Sequence, residues 1–385
     1  MSKTRDTRGP LSGVRVIELG GIGPAPFCGM VLADYGAEVI RVDRPSEAGS
    51  PHRVPVLYRG RTSIAVDLKH PDGAETVRRL IAGADAVIEG FRPDVLERLG
   101  LGPDVCLAAN PRLVYARVTG WGQDGPLAQS PGHDINYLAI SGALHAIAPA
   151  GGDPVIPLNL VADFGAGGML LALGLVTALL HARTTGEGQV VDAAMIDGTA
   201  LLLAMTYDLL AQGAWQDRPG VNLLDGGAPF YGVYRCADGN HVALGAIEPQ
   251  FYAALMDVLD LNNDPVFASQ QDRRNWPAMK ARLSEIFGAC TRDEWVAEFQ
   301  DRDACVSPVL SLTEAAEHVH NRSRGTYRRG PHGGYEPAPA PRFGATPTGE
   351  PARSPVIGAD TTAVLTAAGL GEKELVALRE KMIIS

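Results

Sequence analysis

At 385 residues the chain exceeds the usual span of one domain and is long enough to bury an active site. Hydrophobic residues are 45% and charged residues 20%, with 45 glycines and 28 prolines, a balance that argues against disorder or fibre. The formal charge of −10, from 44 acidic against 34 basic residues, argues against a nucleic-acid partner, so an anionic ligand needs a local basic cluster.

In chain order, residues 14–44 read as an apolar strand, a Gly/Pro turn, an amphipathic helix and a second apolar strand, which is a βαβ unit. A helix near 72–82, a strand near 86–90, a helix near 93–99 and a strand near 113–120 continue the alternation. Such alternation predicts a parallel sheet covered by helices. Helices follow at about 134–147, 166–182 and 196–211, with a strand at 190–194 between the last two. Residues 1–215 are therefore expected to form a large Rossmann-like domain, completed by 330–385 through a last helix near 360–381. Turn-rich residues 212–229 form a linker to a smaller α+β domain, 225–322. That domain opens with strands near 230–236 and 241–247 joined by Asp238-Gly239, a strong hairpin signal, and adds helices near 250–259, 276–288 and 292–300. Residues 323–356 form a second linker, with seven prolines between Pro331 and Pro355.

Five scattered cysteines, without CxxC or zinc spacing, suit a reducing compartment, and no metal site is expected. The charged residues 1–8 run into a strand instead of a signal-peptide core, and Met382-Ile-Ile-Ser385 is not a peroxisomal ending, so neither gives an organelle signal, and the cytoplasm is the location expected from the cysteine usage. The apolar stretch 164–180 is short for a membrane span and holds four glycines, which favours a buried helix.

Gly21-Ile-Gly23, with Asp43 some twenty residues on, suggests a dinucleotide loop, but Pro26 stands where the third glycine belongs. Arg41, Arg44, Arg59, Arg61, Lys69, Arg92 and Arg98 fall near strand ends, where an open α/β sheet binds ligands, and together suit a polyphosphate. His133 stands at a helix start, beside backbone N–H groups that could hold an oxyanion, although Asp134 could be a plain helix cap. Asp163 opens a glycine-rich helix start as either an N-cap or a desolvated general base, and Glu248 carries the same ambiguity at the hairpin's end. No Gly-x-Ser-x-Gly elbow, Walker loop or HExxH motif occurs, which leaves metal-free proton chemistry.

Five further stretches resemble the family III coenzyme A transferases: Leu32-Ala-Asp-Tyr-Gly-Ala-Glu-Val-Ile-Arg-Val-Asp-Arg-Pro45, Val66-Asp-Leu-Lys69, Glu89-Gly-Phe-Arg-Pro93, Thr119-Gly-Trp-Gly-Gln-Asp-Gly-Pro126 and Gly188-Gln-Val-Val-Asp192. Gly132-His133-Asp134-Ile135-Asn136-Tyr137, Leu158-Asn-Leu-Val-Ala-Asp163 and Gly245-Ala-Ile-Glu248-Pro-Gln-Phe-Tyr252 resemble the racemase branch of that family, which acts on α-methylacyl-CoA thioesters. The resemblance implies an isomerase that inverts C2 of a 2-methylacyl- or 2-aryl-CoA, with His133 and Asp163 as opposed bases and Glu248 orienting His133. The Asp134 N–H would take the enolate oxygen, and Gly132, Asp134, Ile135, Asn136 and Tyr137 the thioester end. Arg44, Val66, Asp67, Leu68, Lys69, Gly90, Phe91, Arg92 and Arg98 would hold the coenzyme A nucleotide and phosphates. Coenzyme A is then part of the substrate, no separate cofactor is required, and the fold is an interlocked homodimer with Glu248 reaching His133 across the interface. The same family's transferases use the aspartate matching Asp163 as a nucleophile, which is the alternative chemistry.

Overall fold

The computed structural model describes residues 8–331 and 333–385. The first seven residues, and the expectation drawn from their charge, lie outside the described residues. The chain groups into two compact units. One takes the described residues up to Ser141, with Leu158–Leu202 and Arg328–Ser385, and the other takes Gly142–Pro157 and Leu203–Tyr327. Two of the four boundaries fall where helices break, at Gly142 and Leu203, and none falls in the turn-rich 212–229.

The first unit is built on a six-stranded sheet: β1 (Arg15–Leu19), β2 (Glu38–Asp43), β3 (Thr62–Ala65), β4 (Ala86–Glu89), β5 (Val114–Thr119) and β6 (Gln189–Ala194). Every pairing is parallel and the order is β3-β2-β1-β4-β5-β6, the Rossmann order, as the alternating pattern predicts. β4 and β5 are buried along their whole length because helices cover both faces, which is why they read as unbroken apolar runs. The covering helices are α1 (Pro24–Asp34), α2 (Pro71–Ala82), α3 (Val95–Arg98), α4 (Pro103–Ala109), α5 (Asp134–Ser141), α6 (Leu170–Thr185), α7 (Met195–Leu202), α8 (Thr361–Ala367) and α9 (Glu372–Glu380). Ile17, Ile40, Val42, Ile64, Val77, Ile81 and Tyr115 form a core that Leu365, Leu375 and Ile383 complete.

Several helices are shorter than their apolar patterns suggest. The run expected over 134–147 stops at Ser141 because Gly142 turns left-handed at φ 88°. The last helix is two, α8 and α9, separated by Gly369 at φ 88°. Ahead of α6 the backbone winds as a π-helix over Leu160–Met169. Its glycines let it press on α1: a Cβ at Gly168 would stand 2.7 Å from the Phe27 ring and 3.0 Å from the Pro24 carbonyl oxygen. The combined segment Leu160–Thr185 is the one described helix long and apolar enough to cross a membrane, with 39% of its most apolar window buried. The expectation of a buried helix is thus half right. Leu171, Leu175 and Leu179 are buried, while Leu173, Val176 and Leu180 are exposed.

In the second unit β7 (Tyr231–Arg235), β8 (His241–Gly245) and β9 (Val306–Val309) make an antiparallel sheet in that order. The Asp238-Gly239 turn joins the first two, with Gly239 at φ 80°. Helices Pro249–Val258, Trp276–Phe287 and Arg292–Glu298 pack an aromatic core of Phe230, Tyr234, Trp276, Phe287 and Trp295.

Candidate active site

The strand order reverses between β1 and β4, and in open α/β sheets ligands bind at that point, beyond the strands' carboxyl ends. Here the loops leaving β1, β4 and β5 open into a cleft of about 530 Å³, lined by Ile22, Gly23, Gly90, Phe91, Arg92, Gly120, Trp121, Gly132, His133, Asn136, Tyr137, Asp163 and Met195. A volume of that order suits a small-molecule site.

His133 immediately precedes α5 and is exposed at the cleft. Its backbone N–H donates to Asn136 Oδ1 at 3.0 Å, and its carbonyl accepts from the Asn136 and Tyr137 N–H groups. The Tyr137 ring is wedged between two glycines. A Cβ at Gly120 would lie 2.0 Å from it and one at Gly132 2.7 Å, and Trp121 meets it edge-on at 4.8 Å. Within α5's first turn the Asp134 and Ile135 N–H groups have no acceptor among the described residues, which leaves donors at a helix N-terminus.

Asp163 is the fourth residue of the π-helix, so it is not an N-cap. It is half-buried, and its Oδ2 accepts from Asn159 Nδ2 at 3.2 Å. Gly23 stands against it: a Cβ there would be 3.2 Å from Oδ2. Burial raises the Asp163 carboxyl above the usual range, the Asn159 bond opposes that, the Asp134 charge raises it further and His133 lowers it. Burial and the Asp163 charge likewise push the Tyr137 phenol up.

Asp134 does not cap its own helix. Its buried carboxylate reaches the π-helix, where Oδ2 accepts from the Ala162 and Asp163 N–H groups at 2.9 and 2.8 Å. Ile135 is exposed and not among the cleft-lining residues. Glu248 lies in the second unit, exposed, at the N-cap position of Pro249–Val258, yet its side chain makes no capping bond. Capping therefore explains neither carboxylate.

The basic cluster divides. Arg41, Arg59 and Arg61 are buried and committed to internal carboxylates, which corrects the expectation that they face a polyphosphate. Arg41 donates to Glu18 at 2.5 Å, to Asp43 at 2.8 Å and to the Gly20 carbonyl at 2.9 Å. Arg61 pairs with Glu18 at 2.6 Å and Arg59 with Asp34 at 2.5 Å. Asp43, the apparent ribose-binding acid, also accepts from Ser63 at 2.7 Å and is spent inside the fold. Arg44, Lys69, Arg92 and Arg98 remain exposed. Arg44 follows β2, Val66–Lys69 follow β3, and Gly90–Arg92 follow β4, so these residues share the carboxyl edge of the sheet. Of them only Gly90, Phe91 and Arg92 line the cleft. Ile22, Trp121 and Asn159 join the site without an expected role, although each lies in a stretch legible in the sequence: the rejected dinucleotide loop Gly21–Gly23, Thr119–Pro126 and Leu158–Asp163.

A doubly wound α/β unit thus brings an imidazole and a half-buried carboxylate together in a cleft at its switch point, on a nucleotide-binding type of fold. The chain belongs to CoA-transferase family III, whose profile matches residues 11–361. It is 45% identical over 375 residues to the mouse (Mus musculus) alpha-methylacyl-CoA racemase, covering 97% of each chain. The human (Homo sapiens) protein of that name is 45% identical over 376 residues, again with 97% of each covered. A CAIB/BAIF family protein from Brucella suis has the same fold in its crystal structure, with a TM-score of 0.80, 26% identity, and 94% of this chain and 100% of that one covered.

Proposed function

We propose that the protein is an isomerase that inverts C2 of 2-methylacyl-CoA or 2-aryl-CoA thioesters by 1,1-proton transfer. The observation that carries the reading is the cleft that joins His133 and Asp163 beside the unused Asp134 N–H. A racemase must remove a proton from one face of a carbon and return one to the other, so it needs two bases with the substrate between them. One of the pair takes the C2 proton, the enolate oxygen accepts the Asp134 N–H, and the other base, protonated, delivers a proton to the opposite face. The raised Asp163 carboxyl supports its turn as the acid. The names of the two mammalian relatives support the substrate class.

In this reading Arg44, Val66–Lys69, Gly90–Arg92 and Arg98 bind the nucleotide and phosphates of coenzyme A, and Gly132–Tyr137 the thioester. Glu248, free of a capping bond, orients His133 across the interface of an interlocked homodimer. Exposed apolar residues support the dimer: Ile140, Leu173, Leu180, Leu201 and Leu202 in the first unit, and Ile156, Met205 and Tyr207 in the second. A cytoplasmic setting belongs to the same proposal, supported by five free cysteines.

The test is proton NMR of a pure 2-methylacyl-CoA epimer in deuterium oxide with no acid acceptor. The expected result is loss of the α-proton signal with conversion to a near-equal epimer mixture, abolished in His133→Ala and in Asp163→Ala while the ester still binds. Absence of exchange, with coenzyme A transfer once a free acid is added, would replace the reading with Asp163 as nucleophile.

A further inference from the structure

The Asp134 carboxylate has no part in the mechanism above, which uses only that residue's backbone N–H. It is 6% exposed, and its two oxygens have different surroundings. Oδ2 accepts the Ala162 and Asp163 N–H groups at 2.9 and 2.8 Å, while Oδ1 is buried with no hydrogen-bond partner among the described residues. Burying a carboxylate oxygen without a donor is costly, so the arrangement calls for a compensating purpose. Asp134 follows His133 directly, and the N–H it holds belongs to Asp163 itself. A single side chain thus bolts the start of α5 to the π-helix, and the two bolted points are the two bases.

We propose that the Asp134 side chain is a positioning residue that couples the two bases, fixing their spacing through the Ala162 and Asp163 N–H groups and placing its carboxylate beside Asp163. The inference rests on the isomerase reading for its effect on turnover. The groups facing Asp163 are His133, at the start of α5, and Asp134 and Tyr137 within it, with Asn159 preceding the π-helix. Around the cleft Arg92 and His133 are the basic lining residues among the described residues, and α1 and α7 contribute the uncharged Pro24 and Met195. Of these groups only Asp134 both touches the Asp163 backbone and adds like charge to its carboxylate. Removing the charge should let Asp163 release its proton at lower pH, and removing the acceptor should let the bases drift. A misplacement of about 1 Å is enough to cost on the order of a hundred-fold in rate.

The experiment compares Asp134→Asn, which keeps one acceptor oxygen without the charge, with Asp134→Ala, which keeps neither. Carbon-13 carboxyl NMR of aspartate-labelled protein, with the Asp163 signal assigned by its loss in Asp163→Asn, reads the titration without any substrate. In Asp134→Asn the Asp163 midpoint moves to lower pH, and the acid limb of α-proton exchange moves with it. Its kcat falls about ten-fold with KM little changed, and in Asp134→Ala about a hundred-fold. An unmoved Asp163 midpoint in Asp134→Asn, or equal losses in both variants, overturns the proposal. Should Asp134→Asn not fold, the carbon titration in Asp134→Ala decides: coupling requires the Asp163 midpoint to fall there, and an unmoved one refutes it. If the parent protein exchanges no α-proton, the isomerase reading fails, and the carbon titration still decides the coupling.

Discussion

Replacing Arg41 with methionine tests whether the buried ion network holds the cleft's floor. The guanidinium side chain is 8% exposed, and its partners Glu18 and Asp43 are 0% and 3% exposed, so solvent cannot replace it. With Arg61 it balances two buried carboxylates against two arginines; without it, Glu18 keeps Arg61 while Asp43 loses its arginine and keeps the Ser63 hydroxyl at 2.7 Å and His52 at 3.8 Å. Breaking such a pair on one side costs about 3–5 kcal/mol, because the remaining charge is left uncompensated. The Gly20 carbonyl loses a donor as well, and the loop leaving it carries Ile22 and Gly23 into the cleft. Amide exchange read by mass spectrometry over residues 15–43 converts that cost into roughly a hundred-fold to several-thousand-fold faster exchange. Arg15→Met is the control. Arg15 pairs with Glu38 at 2.7 Å with both side chains about half exposed, a pair worth at most about 1 kcal/mol. Equal effects of the two substitutions would refute the argument that burial gives the Arg41 network its weight.

Two further outcomes follow from the site's packing and charge. Gly120→Ala places a methyl 2.0 Å from the Tyr137 ring and should cost about 1–3 kcal/mol in thermal or urea denaturation, together with most activity, whereas Gly151→Ala, an exposed site with nothing within 4 Å among the described residues, should leave activity unchanged. Asp163→Asn should raise the denaturation midpoint at pH 7. Because the folded carboxyl is raised above its ordinary value of 3.8, its favourable contribution exists below that value and is lost as pH rises through the folded one, so the asparagine's advantage should vanish in acid. A variant no more stable than its parent at pH 7 would show that burial does not dominate at Asp163.

The parallel sheet is legible because β2, β4 and β5 are apolar runs buried on both faces, bounded by glycine or charge. β3 and β9 are not, since Thr62 and Ser63 open the one and Ser307 and Pro308 interrupt the other, whereas β4 of equal length is apolar up to its last residue; α4 is masked by the Pro103-Asp104 at its start. Helix breaks at Gly142 and Gly369 escape because a glycine inside an apolar stretch reads as tolerated helix until its φ is seen. In the site, His133 and Asp163 are readable from their neighbours. The misreading of Arg41 has a visible cause: Arg41 and Asp43 alternate with Ile40 and Val42 in a strand buried at both, and a charge in such a strand signals an internal pair. The reach of Asp134 from one helix start to another has no local signature, because the same residue at that position ordinarily serves its own helix.

β3 forms the edge of the sheet, and what covers that edge comes from far along the chain. Its Ser63 and Ala65 N–H groups are taken by Asp360 and Thr361, 297 and 296 residues later. The loop it feeds is pinned by the Ile383 carbonyl, which accepts the Asp67 N–H at 2.8 Å. During synthesis at about 5–20 residues per second, this strand therefore waits roughly 15–60 s with its donors bare. An open strand edge is a template for pairing with other chains, so the ribosome-bound intermediate is most exposed to misassembly along Thr62–Ala65. Lengthening the intervening chain would prolong that wait without altering the contact that ends it.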